Sequence, residues 1–174
     1  ADNLINNFIK ENKIPGLSVT LLNEEGHIEY SKGFGYADLE KRININPKNS
    51  IFRIGSLSKT LAGTALMKMY EENEIEIDSS VGFYIKDLPF DKNKITLRQI
   101  AGHLSGIRHY GDGDEMKLNL NYENTSDALN IFINDSLLFD PGTKYSYSTH
   151  AWTLLSLAME KAYGENFIEL MKNE

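Results

Sequence analysis

The sequence has no cysteine, only one tryptophan, and fewer basic than acidic side chains, 18 against 25 for a net charge of −7 over 174 residues. Without cysteine there is no disulfide framework, no thiolate nucleophile and no cysteine-based zinc site, while the redox compartment stays undecided. A net negative chain lacks the basic surface that displaces counterions from phosphate, which argues against a general nucleic-acid binder. No run of about 18 apolar residues occurs, and Ala1–Lys13 lacks the charged and apolar regions of a leader, so neither a membrane span nor an intact signal peptide is expected. There is no internal repeat or low-complexity tract. What is there, 41% hydrophobic and 25% charged residues, is ordinary globular composition, and the length fits one domain over residues 1–174.

Residues 2–12 carry Leu4, Ile5, Phe8 and Ile9 at the spacing of a surface helix, ended by Pro15-Gly16. Leu17, Val19 and Leu21 alternate as in a strand, the stretch from Asn23 to Gly26 supplies a turn, and residues 27–36 read as the second strand of a hairpin. An Asn- and Lys-rich loop (41–50) follows. Leu57, Leu61, Ala65 and Met69 then recur four apart, which predicts a long, buried helix over 57–72. Shorter helices are expected at 96–104 with Thr96 as N-cap, at 126–134, and at 151–163 ending on Gly164. Asp140-Pro141-Gly142 marks a loop, and residues 111–122 read as an exposed polar one. A hairpin followed mostly by helices is an α+β pattern.

Ser56 and Lys59 lie one helical turn apart at the start of the buried segment, so their side chains share a face. A serine hydroxyl needs a neighbouring base to act as nucleophile, a desolvated lysine can serve, and a helix N-terminus favours the developing anion. By itself the pair is unspecific, since Ser-x-x-Lys ordinarily marks an N-cap and a solvated lysine. Tyr147 can relay a proton if a cation such as Lys59 stabilises its phenolate, or it can simply pack at a helix start. His103 ends a short helix, where an imidazole more often closes backbone hydrogen bonds. His27 falls near a turn, and His109 and His150 at loop or cap positions. No His-x-x-x-His pair occurs, and the single Glu-x-x-His, Glu24 to His27, falls at the predicted turn, so no metal is expected. Gly-x-Ser-x-Gly is absent, and Gly33-Phe34-Gly35 lacks the third glycine of a dinucleotide fingerprint. Asp112-Gly113-Asp114-Glu115 is only a fragment of a calcium loop and reads as solvated turn.

The order and flanks of these pieces are more specific than any one of them. The chain resembles the serine β-lactamase/penicillin-binding-protein superfamily, in its class C and esterase-like branch. The resemblance rests on Ile14-Pro15-Gly16-Leu17-Ser18-Val19, on Phe52-Arg53-Ile54-Gly55-Ser56-Leu57-Ser58-Lys59, and on Ile95-Thr96-Leu97-Arg98-Gln99-Ile100 leading into His103-Leu104-Ser105-Gly106-Ile107. Phe139-Asp140-Pro141-Gly142 leading into Tyr145-Ser146-Tyr147-Ser148 completes it. The stretches from His103 to Tyr110 and from Tyr147 to His150 look most like a mitochondrial β-lactamase-like subgroup and its bacterial relatives.

The resemblance implies that Ser56 is the acylated nucleophile, Lys59 the adjacent base, and Tyr147 the tyrosine that passes the proton to the leaving group. It implies that the Ser56 backbone N–H is half of an oxyanion hole, and that His103, Ser105 and Gly106 belong to a structural loop. The second motif normally reads Tyr-x-Asn; here Thr149 stands at its third, substrate-binding position, which puts recognition of β-lactam side chains in doubt. The family's third motif, Lys-Thr-Gly or a His-x-Gly variant, does not occur before Glu174, so the resemblance implies an N-terminal portion of a β-lactamase/transpeptidase-like fold. That fold is an antiparallel sheet flanked by helices, begun here by two strands, plus a helical region carrying residues 96–138. The implied function is that of a serine hydrolase forming an acyl-enzyme on an amide or peptide bond. The alternatives are a carboxylesterase of the same family and a non-catalytic, self-assembling scaffold. No cofactor is implied, and the partners are a small-molecule or peptide substrate and a homo-oligomeric copy or a missing C-terminal segment, in a periplasmic or secreted setting.

Overall fold

The computed structural model describes residues 1–111, 115 and 122–173. The calcium-loop fragment at 112–114 and most of the polar loop at 111–122 lie outside the described residues. The chain forms two compact units, Ala1–Ile54 and Gly55–Glu174.

In the first unit, helix α1 (Asp2–Glu11) leads into strands β1 (Gly16–Leu22) and β2 (Ile28–Asp38), which pair antiparallel from Gly16 opposite Gly35 to Leu22 opposite Ile28. The Asn23 side chain accepts hydrogen bonds from the Glu25 and His27 amides, which closes the turn. A third strand, β3 (Ile43–Asn44), adds to β2, so the sheet is three-stranded in the order β1-β2-β3 rather than the two-stranded hairpin expected from sequence. Two residues are too few for a period-2 signal, and Asn-rich flanks disguise them. Gly35 is required where it is. Its φ is +68°, and a Cβ there would sit 2.3 Å from the Pro15 carbonyl oxygen. The α1 stripe is shallower than its spacing suggests, since Ile5 and Ile9 are half-buried while Leu4 and Phe8 are exposed. Tyr30 donates to the Asp2 carboxylate, and Lys32 pairs with the same group, which ties the start of α1 to β2.

The second unit begins with a 3-10 turn, Gly55–Leu57, that runs into α2 (Ser58–Glu71). Short helices α3 (Val81–Tyr84), α4 (Phe90–Asn93) and α5 (Leu97–Ala101) follow, then a 3-10 segment (Thr125–Ile131), α6 (Thr149–Tyr163) and α7 (Phe167–Asn173). Thr96 caps α5 in a reciprocal capping box with Gln99, and Gly164 ends α6 at φ +90°, as the sequence predicts. The segment read as helix over 126–134 is 3-10. Helices α3 and α4, four residues each, are too short for a 3.6-residue period to show.

The core of this unit gathers on α6, whose Ala151, Leu154, Leu155, Ala158 and Met159 are fully buried together with Met69, Val81, Leu97, Ile100 and Phe132. Each large aliphatic side chain so buried stabilises by about 1.5–3 kcal/mol before entropy is counted. On α2 the buried face is Ala62, Ala65, Leu66 and Met69. The stripe expected from sequence is therefore half right: Leu57 is 67% and Leu61 55% exposed, because the first turns of α2 face outward. The architecture as a whole, helices and a three-stranded antiparallel sheet, is α+β.

Candidate active site

Gly55, at φ +54°, turns the chain into the 3-10 turn that carries Ser56, and Lys59 follows one turn later on α2. Ser56 thus stands just ahead of the α-helix rather than inside its first turn. Its Oγ lies 2.6 Å from the Tyr147 hydroxyl, and Lys59 Nζ is 3.3 Å from the same Oγ. Lys59 Nζ also donates to Thr149 Oγ1 at 3.1 Å and sits 5.0 Å from the centre of the Tyr147 ring. All four residues singled out in the sequence are therefore joined in one hydrogen-bonded group. The Lys59 ammonium, then the Ser56 hydroxyl, hold the Tyr147 phenol below its ordinary range, against an opposing push from burial. A cavity of about 600 Å³ opens beside the group, lined by Ser56, Lys59, His109, Tyr110, Thr149 and Trp152 among others.

Tyr147 and Thr149 are held by the start of α6. Ser148 is fully buried and caps the helix, its Oγ accepting from the Ala151 amide while donating to the Arg108 carbonyl. The Ser148 amide donates to His103 Nδ1 at 3.1 Å, and the Thr149 amide to His109 Nδ1 at 3.2 Å. A backbone N–H can only donate, so both Nδ1 atoms are unprotonated and both imidazoles are neutral Nε2–H tautomers. Burial first, and the Lys59 charge next, push both histidines below their ordinary value, consistent with that state. Their rings also hold Tyr147. His103 lies 4.4 Å from it, centre to centre, and His109 meets it edge-on at 5.2 Å.

His103 begins the loop read as structural. Its φ is +60°, its carbonyl accepts from the Ser146 amide, and the Leu104 and Gly106 carbonyls accept from Gly142 and Leu138. A Cβ on Gly106 would lie 2.3 Å from the Phe139 carbonyl oxygen. Ser105 is buried, with Oγ accepting from the Ile107 amide.

The sequence reading missed the supports behind this layer. Arg108 donates to Asp135, to both oxygens of Glu115 and to the Ile131 carbonyl. Glu115 is driven down to about 2, chiefly by its bonds to Arg108 and then by the Gly111 amide. It also meets His150 Nε2 at 3.1 Å, while the His150 ring stacks on Phe132 at 4.6 Å. Only Ser148 left a readable trace, a serine just ahead of an apolar helix. Among the described residues no group of His, Asp and Glu side chains could hold a metal ion, and no helix is long and apolar enough to cross a membrane.

The sequence profile that matches the chain, over residues 1–174, is the one described as Beta-lactamase. The chain belongs to that family. Among individual relatives, it is 26% identical over 226 residues to the serine beta-lactamase-like protein LACTB, mitochondrial, of Homo sapiens, covering 91% of this chain and 41% of LACTB. Protein flp of Staphylococcus aureus (strain N315) is 24% identical over 176 residues, with 99% of this chain and 35% of that protein covered. Among solved structures, the octameric penicillin-binding protein homologue from Pyrococcus abyssi superposes with a TM-score of 0.82 at 27% identity, over 99% of this chain and 40% of that one. The chain thus spans about two-fifths of the length of the relatives it matches.

Proposed function

We propose that the chain carries the acylation machinery of a serine hydrolase that opens an amide or peptide bond through an acyl-enzyme on Ser56. The observation that carries this reading is the hydrogen-bonded group of Ser56, Lys59 and Tyr147 at the mouth of a cavity. In the reactive form the Lys59–Tyr147 pair is one proton short. The Lys59 amine takes the proton as Ser56 Oγ attacks the substrate carbonyl carbon, and the Ser56 backbone N–H faces the oxyanion that forms. Tyr147 passes the proton to the leaving nitrogen as the C–N bond breaks, and water then hydrolyses the ester on Ser56.

Thr149 separates the finer readings. Its hydroxyl already accepts from Lys59 and is shorter than the carboxamide of the usual motif, which supports peptides or simple amides over β-lactams. A fluorophosphonate should label the chain at Ser56 and leave Ser56→Ala unlabelled; labelling of both would remove the assignment. Labelling of Lys59→Ala at the unmodified chain's rate would reject the lysine as base. Ester turnover without amide turnover would favour the carboxylesterase. The Pyrococcus abyssi homologue is octameric, so particle mass is measured in parallel. Assembly with neither labelling nor turnover would favour the scaffold.

A further inference from the structure

Thr149 is the first residue of α6, so its amide is one of the backbone donors that a helix start leaves without an intrahelical partner. Water ordinarily satisfies such a group at an exposed end. Here His109 does, through Nδ1, from a segment 40 positions earlier in the chain. The same ring lines the cavity beside Ser56 and Lys59, packs at a tilt against Tyr110 at 4.4 Å and meets the Tyr147 ring edge-on. One side chain therefore fixes both ends of the Tyr147–Thr149 segment that Lys59 and Ser56 bond to.

We propose that His109 is a positioning residue of the Ser56 site, its imidazole locked as the Nε2–H tautomer by the Thr149 amide and thereby holding the Tyr147 hydroxyl against Ser56. The proposal rests on the acylation reading for its catalytic consequence and on the hydrogen bond alone for its structural part. A relay built on a 2.6 Å contact tolerates little displacement, and misplacing a reacting group by about 1 Å costs on the order of 100-fold in rate.

Two substitutions divide the functions of the ring. His109→Phe keeps the aromatic contacts and removes the acceptor, while His109→Asn places an amide oxygen where Nδ1 was. The second-order rate constant for fluorophosphonate acylation of Ser56 should fall about 10–100-fold in His109→Phe and recover most of that loss in His109→Asn. Unchanged acylation in His109→Phe overturns the proposal, as does an equal loss in His109→Asn with a wild-type circular dichroism spectrum. In the unmodified chain, ¹⁵N chemical shifts should show Nδ1 of His109 unprotonated and coupled to the Thr149 amide; a protonated Nδ1 overturns the clamp. If the unmodified chain is never acylated, the proposed function fails, and the tautomer measurement still decides whether His109 holds Thr149. If His109→Phe does not fold, His109→Asn and the tautomer carry the test.

Discussion

At the start of α2, Ser56 and Lys59 stand on a turn with no side-chain cap, flanked by the exposed Leu57 and Leu61. At the start of α6, by contrast, Ser148 is buried and bonded at both ends, and two imidazoles take the Ser148 and Thr149 amides. Behind them His150 is stacked on Phe132 and bonded to Glu115. On the proposed function Ser56 must be reached by substrate, which suits the open α2 end. On the same reading Tyr147 must be held to pass the proton, which suits the packing and hydrogen bonds of the α6 end. Exposure and rigidity are divided between two helix starts.

The contrast predicts that substitutions at the α2 end change reactivity without changing stability, and that those behind α6 do the reverse first. The largest effect is expected from Ser56→Ala, which should abolish fluorophosphonate labelling while leaving the urea midpoint of unfolding unchanged. Lys59→Ala should lower the acylation rate by about 10²–10⁴-fold, the usual range for a positioned base, again with little change in the midpoint. Phe132→Ala should cost about 3–5 kcal/mol in urea unfolding, since it empties a core position and removes the platform under His150. Ser148→Ala should cost about 1–2 kcal/mol, as the helix loses its cap and the Arg108 carbonyl its donor. Leu61→Ala should stay within about 0.5 kcal/mol of the parent. A loss there as large as that of Phe132→Ala would erase the distinction between the two ends.

Acid provides a finer test. Burial holds His103, His109 and His150 below the ordinary imidazole value, so the unfolded chain binds more protons than the folded one. Stability is therefore full above about pH 6.5 and declines as pH falls through the lowered native values. Glu115, held at about 2 by Arg108, adds a loss only once pH drops below its ordinary value of 4.5. Thermal midpoints measured between these two values isolate the histidines, and a midpoint that rises on acidification there would contradict the neutral clamps.

Helix α6 and the caps Thr96 and Gly164 are legible in the sequence because a long apolar period and a capping residue act locally. The buried face of α2 is less so. Leu57 and Leu61 fit a stripe with Ala65 and Met69, and nothing in the spacing tells which turns are covered. Strand β3 and helices α3 and α4 are shorter than the periods that would reveal them. At the candidate site, it is the order of motifs that singles out Ser56, Lys59, Tyr147 and Thr149, since Ser-x-x-Lys alone is a common pair. His109 and Arg108 escaped because what they hold are the Thr149 amide and the Ser148 hydroxyl, groups whose partners leave no pattern along the chain.

The hydrogen bond between Ser56 and Tyr147 joins positions 91 apart in the chain. Bringing positions so distant together costs loop-closure entropy that contacts within one helix do not. On the proposed function, the serine and the tyrosine that serves it share a site only once that closure is made. Capture of a serine-directed probe during refolding would then time that closure, a clock that helix formation on its own does not start.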